Sequence, residues 1–253
     1  MSEKIKKRIM LTVAYDGTNY CGWQIQPNGI TIEGVLNENL SELLKEDISV
    51  IGASRTDSGV HALCNVAVFD TFSPIPGEKM SYALNGRLPE DIRVVASKEV
   101  APDFHPRHCE SRKTYEYHIV NAPFPNPMKR LYCHFTYNSC DIEAMKEAAA
   151  YLTGEHDFKS FCTVGAQVES TVRTITELQV FRVEDEIIIR VTGTGFLYNM
   201  VRIIAGTLLE VGYGRRKASE IPHILALKDR GAAGPTAPAH GLRLVKYEFL
   251  NVS

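Results

Sequence analysis

A chain of 253 residues, 44% hydrophobic and 23% charged, can bury sizeable cores and lacks the composition of a disordered chain. Its length suits two packed units of about 100 to 130 residues each. A net charge of −2 excludes a surface coated in basic charge and leaves nucleic-acid binding to local clusters at 4–8, 107–113, 129–130 and 215–217, each of which equally suits a solvated face.

Residues 8–15 alternate in the manner of a strand, and a loop rich in Gly, Asn and Pro follows as far as Gly29. Ile32, Val35, Leu36, Leu40, Leu43 and Leu44 then recur at helical spacing. Further strands are expected at 49–53, 65–72, 92–99 and 112–120, with a short helix at 79–84. Pro123, Pro125 and Pro127 favour extended backbone, which puts the domain boundary there and divides the chain into 1–120 and 121–253. A helix is expected at 141–152, capped by Asp141 and ended by Gly154. Strands at 172–183 and 186–192 bracket a Glu184/Asp185 turn, helices follow at 198–211 and 218–227, and a strand closes the chain at 242–249. This interleaving lacks regular βαβ spacing, so the fold class is α+β, with mixed antiparallel sheets covered by helices on one face.

The six cysteines have irregular spacing and are expected as reduced thiols. Met1 to Arg8 is charged without an apolar signal core, and no run is long enough to span a membrane, so a cytoplasmic location is expected.

Three stretches have the residue types of a functional site. In Gly52-Ala-Ser-Arg55-Thr-Asp57-Ser-Gly59-Val-His61-Ala62, an arginine and a carboxylate two apart can project together from a loop between apolar strands. The same residues suit a polar turn with a surface ion pair. In Thr192-Gly193-Thr-Gly195-Phe196-Leu-Tyr198-Asn-Met-Val-Arg202, Tyr198 occupies the third glycine position of a dinucleotide fingerprint, which argues against a nucleotide cofactor. Arg202 lies among apolar residues, so it is expected partly buried or paired, either with Asp57, whose charge it would then preserve, or in a structural ion pair. In Arg112-Lys113-Thr-Tyr115-Glu-Tyr117-His118, alternation sends Lys113, Tyr115 and Tyr117 to one face, which suits base stacking beside a phosphate-seeking cation, although aromatic residues on strands are more often core. His105, His108, Cys109, Cys133 and His134 form no metal motif, and no metal is expected.

Taken together, these stretches resemble the TruA family of tRNA pseudouridine synthases over the full length. The resemblance rests on Arg55-Thr-Asp57-Ser-Gly59-Val-His61, Tyr15-Asp-Gly-Thr18 through Gly22-Trp-Gln-Ile-Gln26, and Ala83-Leu-Asn85 through Leu88-Pro-Glu-Asp91-Ile92. In the second half it rests on Gly154-Glu-His156-Asp-Phe-Lys-Ser-Phe161, Val172-Arg173-Thr-Ile175, Gly195-Phe-Leu-Tyr198-Asn-Met-Val-Arg202 and Ala237-Pro-Ala-His-Gly-Leu242. It implies two ferredoxin-like (RNP-like) domains in a pseudouridine synthase fold and a homodimer that clasps tRNA, without cofactor or metal. The implied reaction converts uridine to pseudouridine in the anticodon stem-loop, at tRNA positions 38 to 40. By position, Asp57 matches the catalytic aspartate and nucleophile, Arg55 the base-displacing arginine, Tyr115 the substrate-stacking tyrosine and Arg202 the partner of the aspartate. Ser54 and Ser58 depart from the family's usual glycine and alanine; both are small, so the loop is still expected to form.

Two other readings compete. Asp57-Ser58-Gly59 spells the aspartic protease D-[ST]-G, but no second copy occurs and Arg55-Thr56 replaces the apolar residues expected before it. An RNA-binding or RNA-folding protein would use the same basic and aromatic surface without chemistry.

Overall fold

The computed structural model describes residues 5–165 and 168–250. By backbone contacts the chain forms two compact units, Met1–Glu110 with Phe249–Ser253, and Ser111–Glu248. The boundary expected from the prolines, 120/121, lies at the last residues of the strand that opens the second unit.

The first unit runs β1 (Lys7–Tyr15), α1 (Ile32–Leu44), β2 (Ile51–Gly52), β3 (His61–Thr71), α2 (Met80–Asn85) and β4 (Ile92–Val100). Its strands order as β4-β1-β3-β2, each pair antiparallel, which is the split βαββαβ pattern of a ferredoxin-like unit. The alternation read from the sequence puts Ile9, Leu11, Val13 and Tyr15 of β1 in the core. Ile32, Leu36 and Leu40 recur every four residues, so one stripe of α1 is buried. Thr31 caps α1 by accepting from the Gly34 amide, and Lys45 ends it in the left-handed region at φ 57. β2 is shorter than expected because Asn37 of α1 takes the Val50 amide at 2.8 Å, leaving two residues to pair with β3.

The second unit holds β5 (Ser111–Asn121), β6 (His134–Thr136), α3 (Ile142–Ala150), β7 (Gly154–Asp157), β8 (Val172–Val183), β9 (Glu186–Gly193), α4 (Met200–Gly212), α5 (Ile221–Leu227) and β10 (Leu242–Phe249). The order is β10-β5-β9-β8-β7; β7, β8, β9 and β5 form an antiparallel ladder, and β6 lies parallel beside β5. Without β6 and β7 this is again the 4-1-3-2 strand order of a ferredoxin-like unit. The expected α+β class and mixed antiparallel sheets are therefore present, with β6 and β7 as strands the sequence reading left out. Asp141 caps α3 by accepting from the Ala144 amide, as its side chain and position suggested. The expected helix at 218–227 is split: a 3₁₀ turn at Ala218–Glu220 precedes α5, and Pro222 sits in the first turn of α5, where its missing N–H costs nothing. α4 is buried nearly all round, with Arg202 and Glu210 its only residues outside the buried class.

All six cysteines are free thiols. Among the described residues, no helix is long and apolar enough to cross a membrane.

Each unit contains a carboxylate held in its charged form. Arg8 forks onto Asp70 with bonds of 2.7 and 2.9 Å, and Lys6 adds a third, so the Asp70 carboxyl is held down at about 2. Glu116, bonded by His118 and by Arg190, is likewise held at about 2. Both groups titrate lower in the fold than in an unfolded chain. Their stabilisation is therefore complete above the ordinary carboxylate range, near pH 4, and is lost as pH falls towards 2. Arg8→Met is expected to lower stability at neutral pH by about 2 kcal/mol and to flatten the loss between pH 4 and 2, measured as thermal midpoint against pH. An unchanged acid limb would contradict the role of this pair.

Candidate active site

Residues 53–60 join β2 to β3 and carry Arg55 and Asp57. Backbone bonds fold the segment tightly: Val60 N–H donates to the Asp57 carbonyl at 3.1 Å, and Gly59, at φ 76, takes the left-handed conformation that the turn requires. A second segment, 15–23, braces it. The Trp23 amide donates to the Thr56 carbonyl at 3.0 Å, while the Gly59 amide and the Ser58 hydroxyl both donate to the Tyr20 carbonyl. Beneath, the buried Tyr15 and Thr56 hydroxyls lie 2.7 Å apart, and Asn65 Nδ2 donates to Tyr15 and to the Ser54 carbonyl. Burial pushes the Tyr15 phenol well above its ordinary pKa, so it remains a neutral hydrogen-bonding group.

Two glycines let these segments touch. A Cβ on Gly17 would stand 2.1 Å from the Val60 carbonyl oxygen, and one on Gly22 would stand 2.5 Å from the Thr56 carbonyl oxygen. Gly22 also sits at φ 84. Gly52 packs under the fully buried Trp23, whose Nε1 would lie 2.1 Å from a Cβ there. The loop thus holds Arg55 exposed and Asp57 half-buried on a braced scaffold. Trp23 Nε1 and Ser54 Oγ are buried without a hydrogen-bond partner among the described residues. Ser54 stands where the resemblance expects glycine, so this chain places a hydroxyl without a partner among the described residues at that position.

Tyr115 and Arg202 belong to the second unit. Tyr115 lies on β5 opposite Val191 of β9, 8% exposed, and meets the Phe196 ring edge-on with centroids 5.3 Å apart. Lys113 does share that strand, but its ammonium lies over the Tyr247 ring at 5.3 Å. Tyr117 is fully buried and donates to the Pro238 carbonyl at 2.9 Å, which makes it a core residue and not a stacking platform. Arg202 is half-buried; its Nε donates to the Ala237 carbonyl at 2.7 Å and its Nη1 to Asn199 Oδ1 at 2.8 Å. Asn199 itself holds a φ of 60 at the start of α4. The 233–237 segment approaches α4 so closely that a Cβ on Gly206 would fall 1.8 Å from the Pro235 carbonyl oxygen.

Sequence reasoning singled out the loop but missed its support. Tyr15, Gly17 and Gly22 belong to a signature, yet nothing in their types reveals which backbone atoms they touch. Asn65 stands in the sequence only as the start of an apolar strand.

Among the described residues, the five considered for metal binding form no group of three or more potential ligands. A different trio, His118, Cys133 and Glu186, has ligand atoms within 4.8 Å of one another. Its donors are already engaged: His118 contacts Glu186 and Glu116 at 2.9 Å each, and Lys129 contacts Glu186 at 2.8 Å. Burial pushes the Cys133 thiol up to about 11, against the thiolate a metal needs. The cluster is a network of hydrogen bonds joined to the Lys129–Glu186 ion pair.

Gly22→Ala is expected to destabilise by more than the roughly 1 to 3 kcal/mol of left-handed strain, since its Cβ also meets backbone. Gly214→Ala, at φ 71 with nothing within 4 Å, should show the strain alone. Thermal unfolding compares the two; equal midpoints would contradict the close packing.

A sequence model described as tRNA pseudouridine synthase matches residues 11–108 and 148–249. tRNA pseudouridine synthase A of Ruminiclostridium cellulolyticum is 52% identical over 245 residues, covering 96% of this chain and 100% of the relative. The protein of the same name from Thermoanaerobacter sp. (strain X514) is 50% identical over 241 residues, covering 95% and 98%. Among solved structures, a chain of a Cbf5-Nop10-Gar1 complex aligns at 16% identity with a TM-score of 0.37, covering 94% of this chain and 49% of that one, so this chain spans about half of it. The family match over both units, with relatives near half identity along their whole length, makes this chain a member of the tRNA pseudouridine synthase family.

Proposed function

We propose that the chain isomerises uridines of the tRNA anticodon stem-loop to pseudouridine, with Asp57 as the catalytic nucleophile and Arg55, Tyr115 and Arg202 as substrate-binding residues. It works in this reading as a cytoplasmic homodimer without cofactor or metal. The observation that carries it is the braced loop: a half-buried carboxylate and an exposed guanidinium, two residues apart, on a segment inside the family match.

The reaction breaks the bond from N1 to the ribose, turns the uracil and rejoins the ribose through C5. N1 gains a proton and C5 gives one up, so nothing is oxidised and nothing is consumed. Such chemistry asks for a carboxylate nucleophile, a site that retains the detached uracil, and a base for the C5 proton. The bracing of 53–60 by 15–23 supports the first demand, because a nucleophile works when its position is fixed before substrate arrives.

A uridine in a stem must leave the stack, at a cost of a few kcal/mol. Arg55, exposed at the loop, is suited to fill the space it vacates. Tyr115 supplies a ring fixed in orientation by Phe196, and stacking of this kind is worth about 1 to 3 kcal/mol per base. Arg202, anchored by Ala237 and Asn199, presents a positive group whose direction is set by the protein.

The direct test is tritium release from C5-tritiated uridine in unmodified tRNA transcripts. Wild type should release tritium and Asp57→Asn should fall by several orders of magnitude while still binding tRNA. Release by both would remove Asp57 from the chemistry, and release by neither with binding intact would favour a protein that only binds RNA. Tyr115→Phe keeps the stacking ring and loses the hydroxyl, so it should slow turnover more than it weakens tRNA binding. The reverse pattern would rule out a proton-transfer role for that hydroxyl.

A further inference from the structure

Arg107 lies in the turn from His105 to His108, directly after Phe104, and this stretch is pinned at two points. Arg8 of β1 donates to the Phe104 carbonyl at 2.9 Å, and Arg107 Nε donates to the Gly52 carbonyl at 2.7 Å. Within the turn, the His108 amide donates to the His105 carbonyl, and the two imidazoles stack with centroids 3.9 Å apart. Gly52 is the last residue of β2, three positions before Arg55. The Nε bond therefore fastens one guanidinium at the foot of the loop that carries another.

Among the described residues, the Gly52 carbonyl is the one hydrogen-bond acceptor of the Arg107 side chain. The Arg55 side chain has neither a hydrogen bond nor an ion pair among them. Glu33 is the acidic group felt at Arg107, and one of its oxygens is engaged by the Ile25 amide at 2.9 Å. The Arg107 guanidinium is pushed down by burial and next by the charge of Arg55, so the two cations stand near enough to repel. A protein that holds two cations together without closing an ion pair between them and a carboxylate has built a place for an anion.

We propose that Arg107, held beside Arg55 by the Gly52 carbonyl, binds a backbone phosphate of the RNA next to the target uridine. This rests on the tRNA reading above and deepens it. The guanidinium fork matches phosphate geometry, and the fixed Nε bond leaves both Nη groups to donate. Arg107 is in this assignment a binding residue that acts on the backbone and reads no base.

Binding of the full-length protein to an unmodified tRNA transcript, measured across a potassium chloride series, tests it. Arg107→Gln keeps an amide donor for the Gly52 carbonyl and removes the charge; Arg107→Lys keeps the charge. Arg107→Gln should weaken binding roughly tenfold, the weight of a charge-assisted hydrogen bond, and lower the slope of log K against log salt by about 1. Arg107→Lys should keep the wild-type slope. If wild type releases C5 tritium yet Arg107→Gln retains its affinity and slope, the phosphate contact is wrong and the enzymatic reading stands. Equal weakening in both variants with an unchanged slope would also overturn it, leaving Arg107 as a brace for Gly52. Failure of wild type to bind tRNA would overturn the contact together with the proposed function.

Discussion

The approach of the 15–23 segment to the 53–60 loop is closer than any side chain permits, and the arrangement around Asp57 depends on it. Gly17 lies against the Val60 carbonyl, Gly22 against that of Thr56, and Gly52 under the indole of Trp23. Backbone then bonds directly to backbone, from Trp23 to Thr56 and from Gly59 to Tyr20. Such contacts define a loop's position more sharply than long flexible side chains do. Beneath them the Tyr15, Thr56 and Asn65 polar groups satisfy one another in a dry interior, where each would be costly alone. Ser54 Oγ and Trp23 Nε1, buried without partners, are departures from that economy, and both lie at this loop. Unsatisfied groups tend to persist where function sets the geometry.

The second unit uses the same device at a different place. Gly206 and Gly234 allow the 233–237 segment to lie on α4, and the Ala237 amide returns a bond to the Arg202 carbonyl. Arg202 is thereby oriented by its own helix through Asn199 and by the returning chain through Ala237. A series of polar contacts from Arg190 and Glu116 through His118 to Glu186, continued by Lys129 and Asp185 beyond the strands, links β5 and β9. It explains why Glu116 and His118 tolerate positions next to the core residues Tyr117 and Ile119.

Much of this fold was legible because its strands and helices have one buried face. The alternation of 8–15 and the four-residue recurrence of Ile32, Leu36 and Leu40 report burial directly, and Asp141 acts as the cap its position suggested. What escaped reading depends on tertiary partners. β2 is cut short by a side chain of α1, β6 is three residues drawn parallel to β5, and β7 forms only as a partner to β8. β3 starts at His61, earlier than its apolar run, because Ala62 pairs with Tyr15 after the irregularity in β1. For the site, residue types single out the loop of Arg55 and Asp57 but suit a polar turn as well, and their roles are implied only by the family resemblance. The contact of Arg107 with Gly52 was hidden, since a basic cluster in a sequence does not show which carbonyl one of its members grips.

We propose that the loop bearing Asp57 performs uridine isomerisation in the anticodon arm of tRNA. Mapping pseudouridine by carbodiimide-dependent reverse-transcription stops, on a transcript incubated with the full-length protein, addresses both the chemistry and its location. Stops confined to the anticodon stem-loop are expected with wild type and none with Asp57→Asn. Stops elsewhere in the tRNA, or stops that survive the Asp57 substitution, would contradict it.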